Sequence, residues 1–269
     1  MTLRFVLVPQ WQGSPSPRAM RLAEGVAALR SDLPAAATTE VAVPLEAGDE
    51  RGSGIARFSS VQLVRERLRD ELASLPAPVV VVGGDCGVAA GALDALADRG
   101  GAVAVLWFDG HPDLNSPETS PCGAFSGMVL RDAIDAGRVA PERVFVLGAR
   151  SWDAGEEAFA AERGIRSLDV ADLDDPGLLV DDLVTSGAEA VFIHIDLDVL
   201  DPGAFESLLD PEPFGLEPAT LLAAIRAVRA RFDLAGATLA AFAPSDPGAE
   251  SAVDDAATIL RIIAALDGR

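Results

Sequence analysis

The chain contains no lysine and no tyrosine, so arginine supplies all 21 of its basic side chains. We attribute this absence, like the richness in alanine, glycine and proline, to genome composition rather than to function. Two cysteines in 269 residues are too few for a disulfide framework. The short apolar run near the N-terminus lacks the length of a signal peptide, and no run reaches the length that spans a membrane. These absences predict a cytoplasmic protein.

Positive charge is also scarce, since 42 acidic residues outnumber the 21 basic ones and give a formal net charge of −21. Such a balance argues against nucleic acid or an anionic membrane as a partner. The charge instead predicts a solvated acidic surface, together with several carboxylates gathered at one site.

Apolar segments alternate with segments of helical spacing along the whole chain, and hydrophobic residues make up 49% of it. This alternation predicts one α/β domain over residues 1–269, with a mostly parallel sheet covered by helices on both faces. Ligands of such sheets bind beyond the carboxyl ends of the strands. The predicted strands are 5–8, 40–43, 78–82, 102–108, 143–147, 164–168, 190–195 and 237–242. The predicted helices are 18–30, 61–75, an alanine-rich helix after Gly87 that ends at Ala97, 127–136, 156–163, 218–231 and 251–266.

Metal-capable side chains follow two of these strands. Asp109, His111 and Asp113 alternate after one strand, and Asp196 and Asp198 alternate after another, so each set lies on one side of an extended segment. Either motif alone is more often a turn or a structural histidine. Together, four carboxylates without a lysine to neutralise them predict one or two divalent cations. Oxygen-rich ligation with one histidine suits Mn²⁺ better than Zn²⁺.

Three motifs in this order resemble the arginase and agmatinase (ureohydrolase) family: GGDCG at 83–87, DGHPDLN at 109–115 and DLDVLDP at 196–202. The resemblance implies a three-layer α/β/α fold with two Mn²⁺ ions that activate a hydrolytic water. It implies that Asp109 and Asp196 bridge both ions, and that these two residues and Asp113 take part in catalysis. Asp113 would join them at the first ion, and His111 and Asp198 at the second.

Cys86 stands where the family has a histidine ligand after Gly-Gly-Asp. A thiolate is a softer ligand than imidazole, so the substitution changes the first ion's preferences. We expect Cys86 to be a ligand; the alternative is an inert buried cysteine and a site with one ion. A disulfide between Cys86 and Cys122 is disfavoured in a reducing cytoplasm.

Two further departures concern the reacting end of the substrate. Ser126 falls where arginases carry a proton-shuttling histidine, and it cannot act as an acid near neutral pH. Ala241 replaces a glutamate that orients the guanidinium in the family, which removes a charge-assisted contact. Asp210, in the loop after the third motif, is a candidate to compensate.

The resemblance also assigns contacts to the amino acid part of a substrate. Asp153 and Glu156 match a family loop that holds the α-amino group, and Asn115 matches a contact to the α-carboxylate, beside which Cys122 replaces a serine. Asp-X-X-Glu is equally typical of a helix N-terminus. His194, two residues before Asp196, is interpreted as a buried structural histidine, with a role behind the metal ligands as the alternative.

The combination of Cys86, Ser126 and Ala241 resembles family members that hydrolyse Nω-hydroxy-L-arginine to L-ornithine and hydroxyurea in D-cycloserine biosynthesis. We therefore expect a manganese-dependent hydrolase of this guanidino amino acid, acting as a monomer. The alternatives are another ureohydrolase activity (arginase, agmatinase or formimidoylglutamase) and a catalytically silent arginase-fold protein that binds metal or an amino acid.

Overall fold

The computed structural model describes residues 3–269, which form one parallel sheet with helices on both faces. Its eight strands are β1 (Arg4–Val8), β2 (Thr38–Glu40), β3 (Val79–Gly83), β4 (Val103–Phe108), β5 (Val144–Leu147), β6 (Arg166–Leu168), β7 (Ala190–Asp196) and β8 (Asp233–Ala240). Its eight α-helices are α1 (Met20–Leu29), α2 (Phe58–Ser74), α3 (Ala89–Arg99), α4 (Val129–Asp135), α5 (Ala154–Arg163), α6 (Pro176–Thr185), α7 (Pro218–Arg229) and α8 (Glu250–Leu266).

The strands lie in the order β2-β1-β3-β8-β7-β4-β5-β6, and every neighbouring pair is parallel. The sheet therefore presents the carboxyl ends of all its strands at one edge. Both faces of the central strands are covered, so β3 and β4 are continuous apolar runs and β7 is apolar except for His194 and its last residue, Asp196.

Two cores pack against the opposite faces of the sheet. Alternate residues of β3 divide between them, so that Val80 and Val82 join the core under α1, α6, α7 and α8, while Val79 and Val81 join the core under α2 to α5. This division confirms the predicted arrangement of a parallel sheet between two helical layers. None of the helices within residues 3–269 combines the length and the apolar character that crossing a bilayer requires.

Some predicted elements were wrong or incomplete. No helix was predicted at α6, although Asp175 caps it by accepting from the N–H of Gly177 and Pro176 occupies its first turn. The second strand was predicted at 40–43 but lies at Thr38–Glu40, where it pairs with β1. The last strand begins four residues earlier than predicted, at Asp233.

Candidate functional site

The candidate site lies at the carboxyl ends of β4 and β7. These strands are neighbours, with Phe108 opposite Ile195, so the residues that follow them lie at the same edge of the sheet. The predicted carboxylates are brought together there and all are buried. They are Asp109, Asp113, Asp196 and Asp198.

Three of these carboxylates share one hydrogen-bonding pattern. Oδ1 of Asp109 accepts from the backbone N–H of His111 at 2.7 Å, and Oδ1 of Asp198 accepts from that of Gly110 at 2.8 Å. Oδ1 of Asp196 accepts from the backbone N–H of Asp198 at 2.8 Å. Backbone amides thus orient each carboxylate through one oxygen and leave Oδ2 for a further partner.

The loop after β3 brings Cys86 to this cluster. In this loop, Gly84 packs closely against the segment that follows β1. A Cβ atom at position 84 would lie 1.8 Å from the carbonyl oxygen of Gln10, so only glycine fits there. Asp85 fixes the same loop, since its carboxylate accepts from the Gln10 side chain at 2.8 Å and from the N–H of Gly87 at 2.8 Å. The Cys86 Sγ atom consequently lies 2.7 Å from Oδ2 of Asp196.

Two buried polar atoms beside the cluster have no hydrogen-bond partner among the described residues, namely Oδ2 of Asp113 and Nε2 of His194. Asp113 also has a positive φ of 53°, a conformation that a non-glycine residue adopts at a cost. Buried lone pairs without donors are expensive, and a cation is a partner that would satisfy them. The residues present therefore fit a divalent metal ion.

The pKa values of the clustered acids also favour a bound cation. Burial raises the pKa values of Asp113 and Asp196 well above the ordinary range, and neighbouring carboxylates raise them further. Burial, followed by the charge of Asp198, raises the pKa of Asp109 to about 7. Burial and the charge of Asp196 also raise the pKa of the Cys86 thiol. Such a cluster retains protons near neutral pH unless cations replace them.

The two histidines of the chain have opposite environments. Nδ1 of His111 lies 3.0 Å from Oδ2 of Asp198, and its Nε2 lies 3.5 Å from Oε1 of Glu212. Burial opposes the charge of His111, but hydrogen bonds to Asp109 and Asp198 raise its pKa. His194 is fully buried, and burial lowers its pKa to about 3, so its imidazole is neutral.

The possible ligand atoms fall into two groups, each with atoms within 4.8 Å of one another. One contains Cys86, Asp109, Asp113 and His194, and the other contains Asp109, His111 and Asp198. Asp109 belongs to both groups, as a bridging ligand would. Asp196 belongs to neither group, although its Oδ2 contacts the sulfur of Cys86; its bridging role stays a prediction.

A second set of predicted residues forms one wall of the cleft. The amide of Asn115 donates to Oδ2 of Asp153 at 2.9 Å and accepts from the hydroxyl of Thr119 at 2.8 Å. The two oxygens of Glu156 accept from the backbone N–H groups of Leu114 at 3.0 Å and Asp153 at 2.9 Å. The hydrogen bond from the N–H of Asp153 to Glu156 is half of a capping box at the start of α5. Glu156 therefore has the helix-capping role that the Asp-X-X-Glu spacing offered as an alternative.

The cleft that joins these two sets has a volume of about 330 Å³, and both Cys122 and Ser126 line it. Cys122 is exposed there, Cys86 is buried, and neither is in a disulfide. A smaller adjoining cavity of about 50 Å³ is lined by Ser126, Asp210 and Ala241. Burial, followed by the charge of Asp198, raises the pKa of Asp210. The space beside the short Ala241 side chain is thus next to a carboxylate.

Comparison with known proteins identifies the family of this chain. A model of the arginase family matches residues 14–265. The chain belongs to the arginase family. An Nω-hydroxy-L-arginine amidinohydrolase of Streptomyces lavendulae is 35% identical over 192 residues, which cover 69% of this chain and 67% of that protein. An arginase of Staphylococcus aureus is 28% identical over 183 residues, and this match spans 60% of the length of each protein.

Solved arginases have the same fold. The arginase of Entamoeba histolytica in complex with L-ornithine matches with a TM-score of 0.86 at 20% identity, covering 99% of this chain and 98% of that chain. The arginase of Bacillus subtilis matches with a TM-score of 0.83 at 22% identity, covering 100% and 99%. These likenesses confirm the predicted arginase-like three-layer α/β fold.

Two contributors to the site were missed by the sequence analysis. The guanidinium of Arg150 donates to the carbonyl oxygens of Asp198 and Glu212, each at 2.7 Å, and so ties the loop after β7 to the loop after β5. The side chain of Glu212 approaches His111 from the outside of the cluster. For Arg150, the only signal in the sequence was an arginine among acidic loops. For Glu212, the sequence held no signal.

Proposed function

We propose that this arginase-family chain is a metal-dependent amidinohydrolase whose substrate is Nω-hydroxy-L-arginine. The observation that carries the proposal is the composition of the cleft, in which a carboxylate–thiol cluster lies at one end and an acidic, hydrogen-bonded wall at the other. Water would add to the guanidine carbon, the bond from that carbon to the nitrogen on the δ-carbon would break, and a proton of the added water would pass to the departing nitrogen. Hydroxyarginine and water would thus give L-ornithine and hydroxyurea.

The ligands of two Mn²⁺ ions would come from the two groups of atoms described above, together with Asp196. Cys86 and Asp113 would hold the first ion, His111 and Asp198 the second, with Asp109 and Asp196 between them. When bound, the ions would supply a water that is acidic enough to act as a nucleophile at neutral pH. The carboxylates of Asp109, Asp196 and Asp198 would fix the positions of the two ions, because backbone amides already hold one oxygen of each carboxylate.

The amino acid end of the substrate would bind at the opposite wall. Asp153, which lines the cleft and accepts from the Asn115 amide through Oδ2, would also accept from the α-ammonium group. Glu156 would add a second negative charge and hold Asp153 in place through the backbone. Asn115 would contact the α-carboxylate beside the exposed Cys122.

The head group of the substrate would lie between the cluster and Asp210. Ala241 leaves room there for the hydroxyl group that distinguishes hydroxyarginine from arginine. N-hydroxylation lowers the basicity of a guanidine. Binding of hydroxyarginine therefore depends less than binding of arginine on a carboxylate that pairs with a guanidinium charge. Asp210, whose pKa burial raises, would accept a hydrogen bond from the head group or exchange a proton with its hydroxyl.

The identities leave the choice of substrate to experiment, since the family contains both arginases and a hydroxyarginine amidinohydrolase among the relatives. The test is a panel of hydroxyarginine, arginine, agmatine and formimidoylglutamate with manganese-loaded protein. We expect hydroxyurea release to exceed urea release from arginine by at least about tenfold in kcat/KM. Equal or faster turnover of arginine would refute the substrate, and no turnover of any compound would favour a silent binding protein.

A further inference from the structure

His194 is a buried histidine that the proposed ligand set does not use. Its side chain is 0% exposed, and Nε2 has no hydrogen-bond partner among residues 3–269. An unpartnered polar atom in such a position costs on the order of 1–3 kcal/mol. A ring present only to fill the core would be replaced at less cost by an apolar side chain, so Nε2 needs a partner.

The ring has one fixed orientation. Nδ1 lies 2.6 Å from the hydroxyl oxygen of Thr238 on the neighbouring strand β8. The ring also stacks on Trp107 of β4, with centroids 3.7 Å apart and an angle of 19° between the planes. Metal-binding histidines typically donate their second ring N–H to such a partner, which fixes the tautomer and leaves the other nitrogen's lone pair for the metal.

The free nitrogen is directed into the first group of possible ligand atoms. Nε2 lies 4.0 Å from Oδ2 of Asp109, which is too far for a hydrogen bond. It also lies within 4.8 Å of ligand atoms of Cys86 and Asp113, as these do of one another. Ligands that are about 2.0–2.3 Å from a shared ion have separations of this order.

We propose that His194 supplies the imidazole ligand of the cation that Cys86, Asp109 and Asp113 hold. This inference deepens the proposed function, because it concerns the same metal centre. The chain has a cysteine after β3 where the family resemblance implies a histidine, and the imidazole is provided from β7, two strands away in the sheet. The first ion then has one sulfur and one nitrogen ligand, whereas the second has a nitrogen and oxygens only. The first position consequently prefers softer cations such as Co²⁺ or Zn²⁺ more than the second does.

The test uses the fact that the chain has only two histidines. Protein containing isotope-labelled histidine is loaded with Mn²⁺ and examined by pulsed EPR for couplings between the metal and imidazole nitrogen, without substrate. We expect two distinct imidazole couplings in the unchanged protein. The variant His194→Phe, which keeps a stacking ring but no nitrogen, should show one coupling and lose one of two bound ions. A single coupling in the unchanged protein would overturn the inference.

Two further variants separate ligation from packing. Ile193→Val changes the same strand on its opposite face and should keep both ions and both couplings. Thr238→Val removes only the partner of Nδ1 and should weaken one ion about 10- to 100-fold, as loss of such partners does. If His194→Phe does not fold, Thr238→Val carries the test, and unchanged affinity for both ions in that variant would overturn the inference. These measurements need no turnover, so a protein with two couplings that fails to hydrolyse hydroxyarginine would refute the proposed function alone.

Discussion

The two ends of the cleft differ in what their polar groups already contact. At the metal end, formed by Cys86, Asp109, His111, Asp113, Asp196 and Asp198, backbone amides hold one oxygen of three carboxylates, and the buried Oδ2 of Asp113 has no donor among the described residues. At the amino acid end, formed by Asn115, Asp153 and Glu156, the side chains are hydrogen-bonded to one another and to the backbone.

This difference shows which end depends on a ligand for its stability. The metal end gathers acids whose pKa values burial raises, so it is complete only with cations or protons. The amino acid end is organised in advance, which lowers the entropic cost of holding a flexible substrate. Substitutions at the first end should therefore abolish metal binding, and those at the second should change substrate affinity and folding stability.

Removal of Asp198 should have the largest effect. The variant Asp198→Ala loses a candidate ligand that also fixes the N–H of Gly110, so kcat/KM should fall on the order of 10³-fold or more. Metal content, measured by elemental analysis, should fall from two ions per chain. Asp94→Asn is a matched control, since Asp94 is a buried acid that pairs with Arg65 outside the site. Loss of stability without loss of metal is expected there, and full metal content in Asp198→Ala would contradict the assignment.

Manganese affinity should rise steeply with pH. The acids of the metal end have raised pKa values, so in the metal-free protein they bind protons that Mn²⁺ must displace. Each displaced proton strengthens binding on the order of tenfold per pH unit below the pKa of its group. Folding of the metal-free protein should show the opposite pH dependence, because protonation stabilises the metal-free fold in acid, and this contribution is lost as the pH rises through the folded values, about 7 for Asp109.

Calorimetric titration with Mn²⁺ in buffers of different ionisation enthalpy, between pH 6 and pH 8, would count the released protons. The variant Cys86→Ser is the control, because a hydroxyl keeps its proton and one fewer should be released. An affinity that does not change with pH would show that the cluster is ionised before metal binds.

Asp210 extends the comparison to the reacting end of the substrate. The variant Asp210→Asn keeps the size of the side chain but removes a charge-assisted hydrogen bond, so kcat/KM for hydroxyarginine should fall about 10- to 100-fold. Metal content should not change, because Asp210 belongs to neither group of ligand atoms. Steady-state kinetics with hydroxyurea detection would measure the effect. A fall of less than about twofold would remove Asp210 from the substrate's surroundings.

Much of this arrangement could be predicted from the sequence. Strands β4 and β7 are largely apolar, and the carboxylates that follow or end them are candidate ligands, so this part of the metal end was predicted from pattern, whereas the ligand role of Cys86 was predicted from the family resemblance. Helix α6 was missed because its exposed Leu178 and Val184 obscure the spacing of the buried Leu179 and Leu183. Strand β2 was displaced because pairing with β1, not apolar content, fixes its bounds.

The orientation of the His194 side chain could not be predicted either. Its direction depends on Trp107 and Thr238, which lie on two different strands and reach it only through the pairing of β4, β7 and β8. The same holds for Asp210 and Ala241, which are 31 positions apart in sequence yet line one cavity. Local spacing identifies ligands on a single strand end, whereas contacts between loops require the order of the strands.

Restoring a carboxylate at position 241 should change substrate preference. The variant Ala241→Glu would extend a side chain into the small cavity beside Asp210 and give arginine the guanidinium partner that this chain lacks. We expect the ratio of arginine to hydroxyarginine turnover to rise about tenfold, the equivalent of roughly 1.4 kcal/mol. Ala241→Gln is the control of equal length without charge. An unchanged ratio in Ala241→Glu would show that substrate preference is determined elsewhere in the cleft.

The smallest effects on turnover should separate the two roles assigned to Glu156. Both of its oxygens accept backbone N–H groups, so Glu156→Gln sets an amide N–H against one of them and should lower stability by about 1–3 kcal/mol. Its effect on KM should be only severalfold, because the ammonium group would bind mainly to Asp153. Asp153→Asn should show the reverse, with KM raised about tenfold and little change in the unfolding midpoint in urea. If Glu156→Gln instead raises KM more than Asp153→Asn and leaves stability unchanged, Glu156 is a direct contact, and the amino acid end is less complete without substrate than its hydrogen bonds indicate.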